Sequence, residues 1–371
     1  MINPMKKLWS WHAILAILAV ASWSVAVGAV FLRHNALNPV TSKISTTGVP
    51  LSESGFFHYA CKTGDSPDSL PCLQQHYQDL TKSKGPAVAF VELKAAYNSD
   101  VSVKADCHPL THVIGRTAAL TSKSIGEAFT HGDQFCSAGY YHGVMETYLS
   151  KIGPKDLPAK LISVCADIKA KAPYAFDHYN CVHGLGHGIM AVQGNDLFKS
   201  LQLCNSAGNN WEQQSCQGGV FMQNVMANLT PGDHTAYLKP DKPMYPCTDV
   251  QDNAKSQCYG MQSSYALEQS GQNFSVVFAE CKSIAGDFRT DCYQGLGRDA
   301  SGNSISDVAK TKATCMLGPD QEAQSNCIIG AVKDFVGYFH GDSQAEQLCQ
   351  AVDPSIQPQC EQTKQVYYKA L

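Results

Sequence analysis

Sixteen cysteines punctuate this 371-residue chain, and their spacing constrains its fold more than any other feature. Taken in order, Cys61 pairs with Cys72, Cys107 with Cys136, Cys165 with Cys181, and Cys204 with Cys216. The later pairs are Cys247 with Cys258, Cys281 with Cys292, Cys315 with Cys327, and Cys349 with Cys360. Six of these eight pairs are 11 or 12 residues apart. From Cys181 onward the gaps between pairs are 23, 31, 23, 23 and 22 residues, so a unit recurs about every 34–35 residues. That period belongs to stacked helical hairpins. No two cysteines form Cys-x-x-Cys, which argues against zinc ribbons, thioredoxin-like motifs and haem attachment. Even, widely spaced cysteines read instead as a disulfide framework in an oxidising compartment, periplasmic or extracellular.

A glycine follows the second cysteine by three residues in five units, at Gly139, Gly184, Gly219, Gly295 and Gly330. On a helix these two positions share a face, and glycine there lets neighbouring helices approach closely. The signature therefore bears on fold and says little about function. Helix punctuation agrees: Pro319-Asp320 opens a run without a breaker to Phe339, and Gly341 stops it. Ser306 precedes a helical run ending near Cys315, Ser343 can cap a short helix through Cys349, and Asp353-Pro354 starts the last one. Each unit then reads as a short helix ending near one cysteine, a tight turn, and a longer helix carrying the second. The expected fold is all-α, a solenoid-like row of α/α hairpins stapled by disulfides.

Lys6 and Lys7 precede an apolar run from Leu8 to Leu32. Its 25 residues exceed the roughly 20 needed to span a bilayer, and the lysines favour a cytoplasmic N-terminus. Residues 1–34 thus read as a short cytoplasmic stub with a transmembrane anchor. Val27-Gly28-Ala29 keeps a cleaved signal peptide, and so a secreted protein, as the rival reading. Residues 35–55, rich in Ser, Thr, Pro and Asn, read as a flexible tether. From 56 to 371 no comparable linker appears, so one extracytoplasmic domain is expected. A net charge of −4 with 16% charged residues offers no basic surface for nucleic acid.

The paired cysteines and stretches such as Cys292-Tyr-Gln-Gly-Leu-Gly297 resemble the cysteine-rich Sel1-like repeat proteins in architecture, over roughly residues 165–365. The resemblance implies extracytoplasmic helical hairpins, each closed by a disulfide. It also implies a protein- or peptide-binding scaffold, and it carries no catalytic residues across.

Two cysteine pairs break the regular spacing, Cys107 with Cys136 and Cys165 with Cys181, and the histidines of interest lie around them. His108 and His112 are four apart, as are His183 and His187, and His142 stands four before Glu146. Side chains four apart meet on one helical face, where two imidazoles, or an imidazole and a carboxylate, can share a divalent ion. His142 and His187 both follow their second cysteine by six residues, so stacked units would present them at one level. The next units carry Met222, Ser264, Arg298 and Lys333 at that place, and Met222 with Met226 could extend the stripe with soft ligands. His108, His112, His142, Glu146, His183 and His187 are accordingly the expected ligands of a divalent transition metal, zinc, copper or iron. An incidental origin for the histidines, in a scaffold that binds a partner protein, is the alternative. No Gly-x-Ser-x-Gly elbow, His-Glu-x-x-His motif or phosphate-binding loop is present, so no reaction is assigned. Asn228 and Asn273 lie in glycosylation triplets.

Overall fold

The computed structural model describes residues 61, 69–97, 99–100, 102–103, 106–133, 135–136, 138–227, 235–304, 307–339 and 342–370, all within one unit spanning 51–371. The expected anchor and most of the tether lie outside the described residues. Among those described, no helix is long and apolar enough to cross a membrane.

Every described element is helical. The chain begins with α1 (Ser69–Lys84), α2 (Pro86–Tyr97), α3 (Cys107–Thr121), α4 (Ile125–Phe129) and α5 (Gly139–Val164). It continues through α6 (Ala166–Lys171), α7 (Phe176–Val192), α8 (Leu197–Cys204), α9 (Asn210–Ala227) and α10 (Asp252–Gln269). The remainder is α11 (Phe274–Lys282), α12 (Phe288–Asn303), α13 (Val308–Cys315), α14 (Gln321–Phe339), α15 (Asp342–Ala351) and α16 (Gln357–Ala370). In α5 the backbone leaves helical geometry at Gly153, just before Pro154, so its two halves are kinked. Pro109 sits in the first turn of α3, where a missing N–H breaks no helical bond.

Three short helices open on side-chain caps eight residues before their cysteines. Asp196 accepts from the Lys199 amide at 3.1 Å, Asn273 from Val276 at 3.4 Å and Asp307 from Lys310 at 3.0 Å. Each such cap contributes about 1 kcal/mol. The α13 helix is thus capped by Asp307 and runs to Cys315, after Ser306 in the sequence as expected. Asp320 accepts from the Ala323 amide at 3.0 Å and opens α14 as expected. Asp353 caps only a turn, and α16 begins later, at Gln357.

All eight expected disulfides form and leave no free thiol. Cys61 is bonded to Cys72, Cys107 to Cys136, Cys165 to Cys181, and Cys204 to Cys216. Beyond them Cys247 is bonded to Cys258, Cys281 to Cys292, Cys315 to Cys327, and Cys349 to Cys360. Their Cα–Cα separations lie between 5.4 and 5.9 Å, the ordinary span of a disulfide. In four units, those of Cys204, Cys281, Cys315 and Cys349, the bridge joins the end of a short helix to the long helix that follows. Thus Cys216, Cys258, Cys292, Cys327 and Cys360 all sit within long helices. The unit of Cys247 differs. Residues 235–251 run as turns without a short helix, because Pro240, Pro243 and Pro246 remove backbone donors at every third position.

The long helices α3, α5, α7, α9, α10, α12, α14 and α16 pack each on the next, making one row. Reciprocal glycines set the closest crossings: Gly115 with Gly143 between α3 and α5, Gly186 with Gly219 between α7 and α9, and Gly297 with Gly330 between α12 and α14. A methyl group on Gly219 would overlap the His183 carbonyl oxygen, and one on Gly143 the His112 carbonyl oxygen. The cores between helices hold Leu110, Ile114, Tyr140, Met145, Phe221, Phe278, Tyr293 and Phe335, all fully buried.

Within α14, burial raises the Asp334 carboxyl to about 7, although Ser301 donates to it and the Arg298 charge opposes the rise. The folded chain therefore holds a proton that the unfolded chain, with an ordinary aspartate near 3.8, releases. Stability from this group is present below the unfolded value and is lost as pH rises through 7. Asp334→Asn is expected to melt above the parent at pH 8, by about 1–2 kcal/mol, with the difference shrinking towards pH 5. Thermal melts at the two pH values check this; a gap that widens on acidification would contradict it.

Candidate metal centre

Three consecutive long helices bring all six expected residues together: His108 and His112 on α3, His142 and Glu146 on α5, and His183 and His187 on α7. The glycines expected to matter only for fold also build this place. Because α3 and α5 touch backbone to backbone at Gly143, and Gly184 and Gly188 let α7 close on Met145 and Leu149 of α5, imidazoles from separate helices meet ring to ring. The α7 helix runs unbroken through Gly184, Gly186 and Gly188; the close packing these glycines permit outweighs the roughly 1 kcal/mol each costs in helix propensity.

His142 is central. Its ring stacks on His187 at 3.9 Å between centroids and lies 5.3 Å from His112, 5.5 Å from His108 and 5.6 Å from His183. On one side, Nε2 of His108 and Nε2 of His112 are 2.9 Å apart. On the other, Nε2 of His183 and Nε2 of His187 are 3.3 Å apart. Two ligand-like triads result, one of His108, His112 and His142, the other of His142, His183 and His187, each with its nitrogens within 4.8 Å of one another.

The outer nitrogens are held from behind. Nδ1 of His108 donates to the Cys136 carbonyl at 2.8 Å, and Nδ1 of His112 faces Glu146 Oε1 at 3.0 Å. Nδ1 of His187 meets Gln223 Oε1 at 2.9 Å, and Nδ1 of His183 meets the Tyr179 hydroxyl at 3.3 Å. A carbonyl and an ionised carboxylate can only accept, so His108 and His112 carry their protons on Nδ1 and turn lone pairs inward. Two lone pairs 2.9 Å apart repel unless a proton or a metal ion lies between them. Such backing of the far nitrogen is how metal-ligating histidines are oriented and made more basic.

Electrostatics favour neutral rings. Burial, then the adjacent His112, lowers His108 to about 3; burial lowers His183 to about 4, with Arg298 adding to the effect and a hydrogen bond to the Ser215 backbone opposing it. His142 and His187 are held well below the usual imidazole range, first by burial and then by neighbouring histidines. Burial alone would raise the Glu146 carboxyl, but His112 and Arg116 outweigh it and bring it down to about 2.

Glu146 differs from its expected role as a ligand. Its oxygens are taken by His112 and by Arg116 Nη1 at 2.9 Å, which places it behind His112 and outside both triads. Arg116 thereby links α3 to α5. In α9 it is Gln223 that reaches the cluster, next to the singled-out Met222. Sequence reasoning passed over Tyr179 and Gln223. Tyr179 was findable, since it continues the His183–His187 stripe one turn earlier; Gln223 carried no such signal.

No known family model, characterised protein or solved structure matches this chain, so its own residues carry the functional reading.

Proposed function

We propose that this is an exported protein whose helical domain holds a divalent transition metal between α3, α5 and α7. One observation carries the reading: five imidazoles converge, two pairs of Nε2 atoms face each other, and hydrogen bonds hold the outer nitrogens away from the site. Imidazole suits zinc, copper and iron, and no cysteine is free to compete with thiolate chemistry. Burial keeps His108, His142, His183 and His187 neutral at physiological pH, so no excess proton has to leave them before an ion binds. Four of the rings are nearly sealed from solvent, and only His108 is partly exposed. Such enclosure suits holding or redox cycling of an ion better than turnover of a bulky substrate. Eight disulfides are consistent with an oxidising compartment, and the apolar run from Leu8 to Leu32 supports a membrane tether for the domain.

The test loads the oxidised full chain with zinc, copper or iron in turn, removes unbound ion and counts retained metal by mass spectrometry. The parent is expected to retain at least one ion per chain. The double variant, His183→Ala with His187→Ala, is expected to retain less while keeping its helical circular dichroism. Parent protein that retains none of the three metals would remove the reading.

A further inference from the structure

We propose that the cluster takes two ions, and that the His142 ring lies between them as a bridging imidazolate with one nitrogen on each. This rests on the metal reading above and goes beyond it in stoichiometry and chemistry. Each side of the cluster supplies only two inward Nε2 atoms, from His108 and His112 or from His183 and His187. Neither pair alone gives the three protein ligands typical of an open metal site. The third donor available to both is His142, which belongs to both triads.

A ring nitrogen has one lone pair and can serve one ion. Serving both pairs therefore needs both nitrogens of His142. The ring is prepared for this, because it is 2% exposed and its Nδ1 is sealed from solvent without a hydrogen-bond partner. In a protein interior such an orphan is destabilising. The four surrounding histidines all have partners for Nδ1, so His142 alone is unsupported by the protein. A metal on that nitrogen relieves the deficit.

The proton balance is simple. The first ion binds a lone pair of neutral His142; the second replaces the remaining N–H proton, which leaves to solvent, and two nitrogen–metal bonds stand where one lone pair and one N–H were. No oxidation or reduction is involved. Glu146 and Gln223 sit behind opposite sides of the pair, on His112 and His187, and keep each outer ring turned inward.

Copper(II) makes the test direct, because the disulfide-bonded chain has no thiol to reduce it. The full chain is loaded with copper(II), copper is counted by mass spectrometry, and the spin concentration is integrated from the electron paramagnetic resonance spectrum. Two coppers per chain, with spin intensity well below the copper content because the bridge couples them, is the expected result. The double variant His108→Ala with His112→Ala should retain one copper with full spin intensity, which also keeps the test informative if His142→Ala fails to fold. Two coppers with full intensity in the parent would overturn the bridge. One copper would overturn the two-ion proposal and leave the metal reading standing, as would no copper where zinc or iron is retained; retention of none of the three metals would remove both.

Discussion

Gly219→Val is expected to cost at least about 3 kcal/mol, a large share of the stability of a domain, and to lower the melting temperature sharply. Overpacking against side chains costs about 1–3 kcal/mol, but here the added carbon meets the His183 carbonyl and the backbone of Gly186, which cannot swing aside. Relief requires α7 and α9 to separate, which also breaks the His187–Gln223 contact. Gly302→Ala is the control: nothing lies within 4 Å of the added carbon, so stability should rise by a few tenths to about 1 kcal/mol. Circular dichroism melts of the two variants decide the matter. An unchanged melting temperature for Gly219→Val would mean that the helices do not cross as described.

The second large effect concerns the bridges. Reducing all eight disulfides is expected to abolish cooperative folding. Each bridge joins cysteines between 11 and 29 residues apart and contributes about 2–4 kcal/mol. Together they exceed the roughly 5–15 kcal/mol by which domains are stable. Far-ultraviolet circular dichroism with and without reductant under native conditions is the measurement. Retention of the full helical signal and of the melting transition after complete reduction would show that packing alone suffices.

The fold was legible because a disulfide is a short-range constraint. Two cysteines 11 or 12 residues apart leave little but a helical hairpin to bridge, and repetition fixes the rest of the row. The unit of Cys247 escaped this logic, since its prolines replace a helix with turns while keeping the spacing to Cys258. The site was legible for its histidines because i,i+4 spacing survives in any helix. Partner choice was not: Glu146 is four residues from His142 yet turns to His112 on another helix. That choice depends on the distance between α3 and α5, which Gly143 sets and no local pattern announces.

The cluster draws on four successive helices, counting Gln223 of α9. A stack of repeats behaves as a one-dimensional lattice, in which each unit feels only its neighbours and ends can peel away. Side chains that meet across α3, α5, α7 and α9 strengthen the coupling between successive neighbours in one half of that lattice. The early units are thereby welded into a block that opens as a whole. An ion seated in the block would act as a rivet through several plates, fixing the order in which the row comes apart.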